Sequence, residues 1–266
     1  YKDNWVYNFG RSEDIPEGFE QGVNFGSKFQ ENRFIPYLSY HFSKGRKVKK
    51  NENYESLDLI RLNFYKNQKL DFKKVLDIGA FEGSWTKMFK EIFPQSKILM
   101  IEANSDKEDF LKLVGEYKIA LLGLNDDQEV DYFKCKNSIE TGNSVYKENT
   151  KYKFSPEKRI VKRLSSLLQI NDHFDLIKMD VQGSELDIIK GGLDIIKNTK
   201  FLLLELQTQE YNKGAPRIEE VISFLKDINF EFIDIFDLLY SRNGCLIQLD
   251  VFFINKKFSN ISIKFN

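Results

Sequence analysis

The feature that most constrains this chain is a strand, a glycine turn and a helix that follow one another over residues 74–94. A short apolar run at residues 75–78 is typical of a strand that is buried on both faces of a parallel sheet. Gly79 and Gly83 form the turn, and apolar residues then recur at helical spacing until Pro94. This order predicts an α/β fold with a helix N-terminus at the carboxyl end of a central strand, where open sheets bind nucleotide-like ligands.

The glycine turn does not carry the dinucleotide fingerprint G-x-G-x-x-G, because Phe81 stands where the second glycine would be. Asp77, Gly79 and Gly83 give D-x-G-x-x-x-G instead, a looser pattern that is typical of S-adenosylmethionine-dependent methyltransferases. Two glycines can also serve only to turn the chain tightly between a strand and a helix. The motif by itself leaves both interpretations open.

The next two strands offer further ligand-binding candidates. A second buried strand over residues 97–101 ends in Glu102, which lies 23 residues beyond the first turn glycine. This is close to the ~20 residues expected for an acid that accepts hydrogen bonds from ribose hydroxyls. A third strand over residues 119–122 leads to Asn125 and Asp126, where we expect an adenine ring, although the same residues are equally typical of a simple turn.

A buried strand in the second half of the chain also carries charges. Side chains alternate along a strand, so Lys178 and Asp180 lie on one face at the carboxyl end of residues 174–180. The following strand, residues 201–207, carries Glu205 near its own end. Charges in an apolar strand are costly unless they are paired or functional, so this region predicts either a second part of the site or a structural Lys178–Asp180 ion pair.

The second half of the chain resembles the FkbM family of S-adenosylmethionine-dependent methyltransferases. The box Lys178-Met179-Asp180-Val181-Gln182-Gly183-Ser184-Glu185 is similar to K-x-D-x-E-G-x-E in that family, with Gln182 in place of the usual glutamate. The other segments that look like the family are residues 77–80, 101–104, 142–144, 210–216 and 246–253, within a match that runs from 73 to 255.

The resemblance implies methyl transfer from S-adenosylmethionine to a hydroxyl group, commonly of a sugar or a natural product. The candidates for cofactor binding are Asp77, Gly79, Ala80, Phe81, Gly83, Trp85, Glu102, Ala103, Asn104, Asn125, Asp126 and Asp180. We expect no metal, because Gln182 lacks the charge of the usual glutamate and no cluster of hard oxygen ligands is evident.

A hydroxyl nucleophile needs a group that accepts its proton. Asp180 and Glu205, with Lys178 beside them, are the candidate catalytic residues, and we favour Asp180 as the proton acceptor. His41 in the N-terminal region is the alternative, whereas His173 precedes its strand and therefore lies at the wrong end.

The element pattern predicts a Rossmann-like, seven-stranded methyltransferase sheet with helices on both faces. The sheet is expected to be mostly parallel, with residues 246–254 as an antiparallel strand inserted at the edge, and residues 129–135 and 158–164 as a small antiparallel extension. We assign residues 71–266 to this domain and residues 1–70 to an irregular or helical arm. The arm is rich in aromatic residues without a clean period, so we expect it to cap the acceptor pocket.

Composition narrows the partners and the compartment. Lys+Arg and Asp+Glu both number 40, so no net field favours nucleic acid, and we interpret the basic residues between 44 and 50 as a solvated linker. Two cysteines are too few for a disulfide framework, which suits a cytoplasmic protein. No apolar run approaches the ~20 residues of a membrane span, and no secretory leader is visible. The chain opens on Tyr1, so an excised domain and a trimmed chain both remain open.

Three other functions remain open from the sequence. A nucleotide-binding oxidoreductase would also have an acid at the position of Glu102, but this chain lacks the second turn glycine of that class. A non-catalytic partner subunit is disfavoured because Asp77, Gly79, Glu102 and Asp180 are intact. An RNA methyltransferase has only the basic cluster in its favour. We therefore expect a small-molecule or glycan acceptor, while no motif specifies which hydroxyl is methylated or the oligomeric state.

Overall fold

The chain divides into two compact units, Tyr1–Leu57 and Asp58–Asn266. The computed structural model describes residues 19–30, 33–43, 56–135, 140–169, 172–241 and 244–258. In the part of the chain that it describes, no helix has the length and apolar character needed to cross a membrane.

The first unit contains a pair of antiparallel strands, β1 (Phe19–Gln30) and β2 (Arg33–Ser43), in which Phe25 lies opposite Leu38. These strands stand where we expected an irregular or helical arm. The reason lies in the sequence, because apolar residues recur at alternate positions in each segment, which is the period of a strand. The glycines and polar residues between them obscure this period.

The rest of the described chain alternates between helices and strands. Its first half consists of α1 (Leu57–Asn67), β3 (Lys74–Ile78), α2 (Ser84–Ile92), β4 (Lys97–Glu102), α3 (Glu108–Lys112), β5 (Glu116–Ile119), β6 (Leu121–Leu122), β7 (Glu129–Cys135) and β8 (Phe154–Lys162). Its second half consists of α4 (Leu164–Leu167), β9 (Leu176–Met179), α5 (Glu185–Gly191), α6 (Leu193–Ile196), β10 (Phe201–Gln207), α7 (Ile218–Asp227), β11 (Phe230–Tyr240) and β12 (Leu246–Asn255).

Seven of these strands form one sheet in the order β11-β12-β10-β9-β3-β4-β5. The neighbours from β10 to β5 are parallel, whereas β12 is antiparallel to both β10 and β11. The prediction of a mostly parallel, Rossmann-like sheet with one antiparallel inserted strand is confirmed.

A second, three-stranded sheet has the order β6-β8-β7, with β7 antiparallel to β8, as the predicted extension requires. The predicted third strand, residues 119–122, is divided between the two sheets. The Ala120 N–H still donates to the Glu102 carbonyl at 2.9 Å, after which the chain leaves β4 and pairs with β8. An apolar run does not reveal that its pairing partner changes midway.

Helices cover both faces of the large sheet. Alternate residues of β3 belong to different hydrophobic clusters, with Leu76 packing against α5 and α7 on one face and Val75 against α1 and α2 on the other. The Tyr65 ring of α1 stacks on Phe236 of β11 with a centroid distance of 5.9 Å. Because the unit boundary falls at the start of α1, this helix packs with the sheet. The cap over the site that we expect from residues 1–70 stays a prediction.

Candidate active site

A cavity of about 430 Å³ lies at the carboxyl ends of β3, β4, β9 and β10. Gly79, Glu102, Asp180 and Glu205 line it, each at or just beyond the end of one of these strands. The chain proceeds from β3 to β4 in one direction and from β9 to β10 in the other, so the cavity lies where the strand order reverses. Its volume falls within the range of pockets that bind small molecules.

Gly79 joins the two halves of this cavity. Its φ of +78° lies in the left-handed region, and a Cβ at this position would lie 1.9 Å from the Asp180 carbonyl oxygen. The Gly79 and Ala80 N–H groups both donate to the Ile101 carbonyl, at 2.9 and 3.2 Å. Only glycine therefore lets the turn after β3 contact β4 and the end of β9 at the same time.

Glu102 is buried, and backbone donors hold it in the cavity wall. Its Oε2 accepts from the Phe81 N–H and its Oε1 from the Asn104 N–H, both at 2.7 Å. Burial raises the pKa of Glu102, and these two N–H groups offset part of the rise. Each carboxylate oxygen retains a lone pair for a further donor, as the expected contact with two ribose hydroxyls requires.

Lys178 lies beneath the cavity between two aspartates. Its Nζ is 3.3 Å from Asp180 Oδ2 and 3.7 Å from Asp77 Oδ1, and Asp77 Oδ2 accepts from Thr86 of α2 at 2.7 Å. Burial raises the pKa of Asp77, and the charge of Lys178 opposes that rise. Asp77 is fully buried and is not part of the cavity lining, so its side chain anchors Lys178 and α2 from below.

Asp180 and Glu205 face the same cavity, and side-chain amides join them. Gln182 Nε2 donates to Asp180 Oδ1 at 3.0 Å and to Glu205 Oε2 at 2.6 Å. Gln248 Nε2 donates to the same Glu205 oxygen at 3.0 Å. The site therefore contains a pair of carboxylates that are held by uncharged donors on one side and by Lys178 on the other.

The two carboxylates of this pair have different acidities. Burial raises the pKa of Glu205 well above its ordinary value, and the charges of Asp180 and Asp250 raise it further. Burial acts in the same sense on Asp180, but the Lys178 ammonium and the Gln182 hydrogen bond hold the pKa of Asp180 below its ordinary value. Neighbouring carboxyl groups with pKa values displaced in opposite directions are the usual arrangement of a proton acceptor beside a permanently charged partner.

The other half of the cavity is mostly apolar. Its walls come from the ends of β3 and β4, from Leu121 and Leu122 of β6, and from Tyr132 of β7. The Arg159 guanidinium lies 5.4 Å from the centre of the Tyr132 ring and donates to the Ala103 carbonyl at 2.9 Å. Sequence reasoning missed Tyr132, because β7 becomes a cavity wall only when the small sheet packs beside β4.

Two loops complete the lining, the β7–β8 loop (residues 140–153) and the β10–α7 loop (residues 208–217). They pair through the Asn149 N–H, which donates to the Tyr211 carbonyl at 2.6 Å, and through a hydrogen bond from the Tyr211 hydroxyl to Glu148. Ser144 Oγ donates to the Gln182 carbonyl at 2.9 Å and so joins the first loop to the turn after β9.

The functional assignments for these loops were missed at the sequence level. Ser144 and Tyr211 line the cavity together with Gln248 of β12, and all three lie in segments that look like the FkbM family. The signal was therefore present as a resemblance, but no local pattern indicated which side chains would meet.

The predicted cofactor residues fall into three groups. Those that line the cavity are Gly79, Phe81, Glu102, Ala103 and Asp180. Those that pack behind the lining are Asp77, Ala80, Gly83, Trp85 and Asn104. The third group, Asn125 and Asp126, is not part of the cavity lining.

Asn125 and Asp126 lie in a turn between β6 and β7, and their contact with an adenine ring stays a prediction. Asp126 accepts from the Arg163 N–H at 2.8 Å and from the Ser166 hydroxyl, and Asn125 Nδ2 donates to Gln128 Oε1 at 3.3 Å. Neither residue lines the cavity, because these local bonds use the side chains to connect the turn with the end of β8.

The four candidate catalytic residues also differ in position. Asp180 and Glu205 line the cavity, and Lys178 contacts Asp180 from below. The side chain of His41 lies outside the described residues, as does the basic cluster between 44 and 50. In the part of the chain that the structure describes, no group of three or more His, Cys, Asp and Glu residues could hold a metal ion, and metal independence stays a prediction.

The strand order, the cavity at the point of reversal and the buried acid at the end of β4 define a class, the Rossmann-like S-adenosylmethionine-dependent methyltransferases. The family described as Methyltransferase FkbM domain matches residues 77–232, more than half of the sequence. The chain belongs to the FkbM methyltransferase family, and S-adenosylmethionine is its cofactor. The predicted resemblance is confirmed.

Two relatives and one of the solved structures that are similar to the chain illustrate its likeness to known methyltransferases. The 2-O-methyltransferase NoeI of Sinorhizobium fredii is 25% identical over 182 residues, covering 60% of this chain and 72% of that protein. The ribosomal RNA small subunit methyltransferase G of Mesoplasma florum is 29% identical over 164 residues, covering 61% of this chain and 62% of that protein, less than two thirds of its length. Magnesium protoporphyrin IX methyltransferase (ChlM) from Synechocystis PCC 6803, solved with bound S-adenosylmethionine, has a TM-score of 0.45 and 9% identity over 75% of this chain and 77% of that chain.

Proposed function

We propose that the protein is an O-methyltransferase that methylates a hydroxyl group of an uncharged sugar or glycan. The observation that carries this proposal is the charge of the cavity wall. Among the described residues, the lining includes Glu102, Glu148, Asp180 and Glu205 and no lysine or arginine. A phosphate group would meet like charges there, whereas carboxylates and amides offer the hydrogen-bonding groups that several neighbouring hydroxyls need.

The two relatives favour different acceptors. NoeI is named as a 2-O-methyltransferase, which supports an oxygen nucleophile, while the second relative acts on ribosomal RNA according to its name. The acidic lining favours the sugar, because RNA-binding sites need positive charge near the phosphates. RNA is therefore the second candidate acceptor, and the cytoplasmic location that we expect from the sequence stays part of the proposal.

The apolar half of the cavity fits the cofactor. Glu102 would accept hydrogen bonds from the ribose hydroxyls, Gly79 lines the cavity without a side chain, and Tyr132 with its apolar neighbours would contact the adenine. When bound, S-adenosylmethionine supplies an electrophilic methyl group on a sulfonium. The chain's own contribution is to align the acceptor oxygen and to exclude water.

The polar half of the cavity orients the acceptor hydroxyl and takes up its proton. Glu205 receives this proton, because burial and its acidic neighbours raise the pKa of Glu205 and make it the stronger base of the pair. Asp180, which Lys178 keeps charged, accepts a hydrogen bond that orients the acceptor. This assigns to Glu205 the role for which the sequence favoured Asp180.

The proposal is tested with an acceptor panel and S-adenosylmethionine that carries a deuterated methyl group. The panel contains neutral mono- and oligosaccharides, the corresponding sugar phosphates and total RNA, and mass spectrometry locates the label. We expect label on an oxygen of a neutral sugar and little on the phosphorylated forms. Label on RNA alone, or on nitrogen or carbon, would overturn the proposal.

A further inference from the structure

Gln182 has a backbone conformation that glutamine rarely adopts. Its φ of +56° lies in the left-handed region, which side chains with a Cβ generally avoid. Its carbonyl accepts from Ser144 Oγ, and its side chain turns back into the cavity. Strain of this kind persists only where the surrounding contacts hold it, and it is common at functional sites.

The side-chain amide of Gln182 adds a donor to a carboxylate pair whose two members also share a side-chain hydrogen bond. Its Nε2 carries two hydrogens, of which one is donated to Asp180 and the other to Glu205. Among the residues that the structure describes, no other side chain is bonded to both carboxylates. An ionised glutamate at this position would have only acceptor oxygens and would add a third negative charge to the same space.

We propose that Gln182 is a positioning residue for methyl transfer, and that its amide holds Asp180 and Glu205 together as one proton-accepting pair. The inference rests on the proposed function only where it assigns the acceptor's proton to this pair.

Other charged and titratable groups also face the pair, from every element packed around it. They are Asp58 of α1, Asp77 of β3, Lys178 of β9, Glu185 of α5, Tyr211 of the β10–α7 loop and Asp250 of β12. Most of them are acidic, so a further acid in place of Gln182 would have Lys178 as its main opposing charge.

The first test is Gln182→Glu, assayed for turnover across pH with the sugar acceptor identified by the panel. The added charge is expected to raise the pKa of the accepting carboxyl, so the limb on which turnover rises should move to higher pH by about one unit or more. At pH values below this limb turnover should therefore fall about tenfold, and it should recover at higher pH. The matched control is Gln95→Glu, which adds the same charge at an exposed turn before β4 and should leave the profile unchanged.

The second variant, Gln182→Asn, separates the amide bridge from the backbone strain. Asparagine tolerates the left-handed region better than glutamine, so this variant should fold at least as well, yet its side chain is too short to reach both carboxylates. We expect lower kcat with an unchanged affinity for S-adenosylhomocysteine. Wild-type kcat in Gln182→Asn, or a wild-type pH profile in Gln182→Glu, would overturn the inference.

Thermal unfolding of the ligand-free chain tests, without any acceptor, whether the neighbouring carboxylates disfavour a negative charge at position 182. The glutamate added among these acids should have a raised pKa in the folded state, so the stability of the variant is kept in acid and lost as the pH rises through that pKa. The Tm of Gln182→Glu should match that of Gln95→Glu at acidic pH and fall below it at alkaline pH. Parallel curves would overturn the inference, whereas failure to find a hydroxyl acceptor would overturn only the proposed function.

Discussion

At the scale of single residues, each carboxylate in the cavity is defined by the donors that reach it. Glu102 is held by two backbone N–H groups, and Asp180 by a buried lysine. Glu205 accepts from the amides of Gln182 and Gln248, shares a hydrogen bond with Asp180 and has acidic neighbours. We therefore propose that the same functional group serves as a fixed acceptor in Glu102, as a permanent anion in Asp180 and as a base in Glu205.

Glu205→Gln keeps the size of the side chain and removes the proposed base. We expect kcat to fall by about 10²–10⁴, while the affinity for S-adenosylhomocysteine stays within about threefold. In the wild type the base must be ionised, and its raised pKa means that turnover rises with pH on a limb well above 4.5, the ordinary value for glutamate. This limb should be absent from the pH profile of the variant.

The variant Asp180→Asn distinguishes the role of Asp180 from that of Glu205. The surface control is Glu91→Gln, on the exposed side of α2. If Glu205 is the base, Asp180→Asn should lower turnover but keep a titrating limb. A limb that disappears in Asp180→Asn and persists in Glu205→Gln would return the base role to Asp180. A parallel loss of cofactor affinity in Asp180→Asn would make that residue a cofactor ligand.

At the scale of elements, the cavity is closed by loops that bind one another. The β7–β8 loop and the β10–α7 loop pair through backbone bonds, including Lys213 N–H to the Lys147 carbonyl at 2.9 Å. The Tyr211 hydroxyl bonds Glu148, whose side chain is buried. Both loops line the cavity, and we propose that its polar half binds the acceptor. We therefore expect the pairing of the loops to control acceptor binding more than cofactor binding.

Tyr211→Phe removes one hydrogen bond from this pairing and leaves Glu148 without that donor. A hydrogen bond to a charged group contributes about 1.5–3 kcal/mol. We expect a decrease in Tm of several degrees and a higher KM for the acceptor, with unchanged binding of S-adenosylhomocysteine by calorimetry. Tyr117→Phe is the matched control, because the Tyr117 hydroxyl bonds Glu108 at 2.8 Å away from the cavity. Equal effects on acceptor KM in both variants would contradict the role of the loop pairing.

Local patterns were enough to predict the central elements. The strand, turn and helix around Gly79 could be predicted because an apolar run, a left-handed glycine and helical spacing are all encoded within one short segment. Lys178 and Asp180 were found for the same reason, since a charge at the end of a buried strand is conspicuous.

The remaining features depend on pairings between distant segments. Gln248 reaches Glu205 only because β12 is inserted antiparallel beside β10, with Asp250 opposite Glu205. Tyr132 likewise becomes a cavity wall through the packing of the small sheet. The local pattern at Asn125 and Asp126 leaves their role open, because a polar turn after a strand looks the same whether it faces a ligand or bonds its own neighbours.

At the scale of the whole molecule, the cavity belongs to one unit. Every described residue that lines it lies between Ile78 and Gln248, within the unit Asp58–Asn266. The first unit therefore has no part in the described lining, and its contribution to acceptor binding is a matter for experiment.

Removal of residues 1–50 should keep α1 and the sheet intact. We expect the shortened chain to bind S-adenosylhomocysteine with an affinity similar to that of the full chain, measured by calorimetry. We also expect it to lose turnover of the acceptor, because the aromatic-rich N-terminal region is the predicted cap. A chain that fails to fold would mean that the first unit is part of the core, and full turnover would remove the capping role.

The insertion of β12 has a consequence for how enzymes of this shape can diversify. Leu239 and Gln248 contribute to the acceptor half from the two arms of the β11–β12 hairpin, whose turn is closed by the Ser241 N–H and the Cys245 carbonyl at 2.8 Å. The entropic cost of lengthening such a turn grows only slowly with the number of residues added. We therefore expect that a small insertion in this one hairpin could accommodate a new substrate without any change in the parallel strands that are proposed to bind the methyl donor.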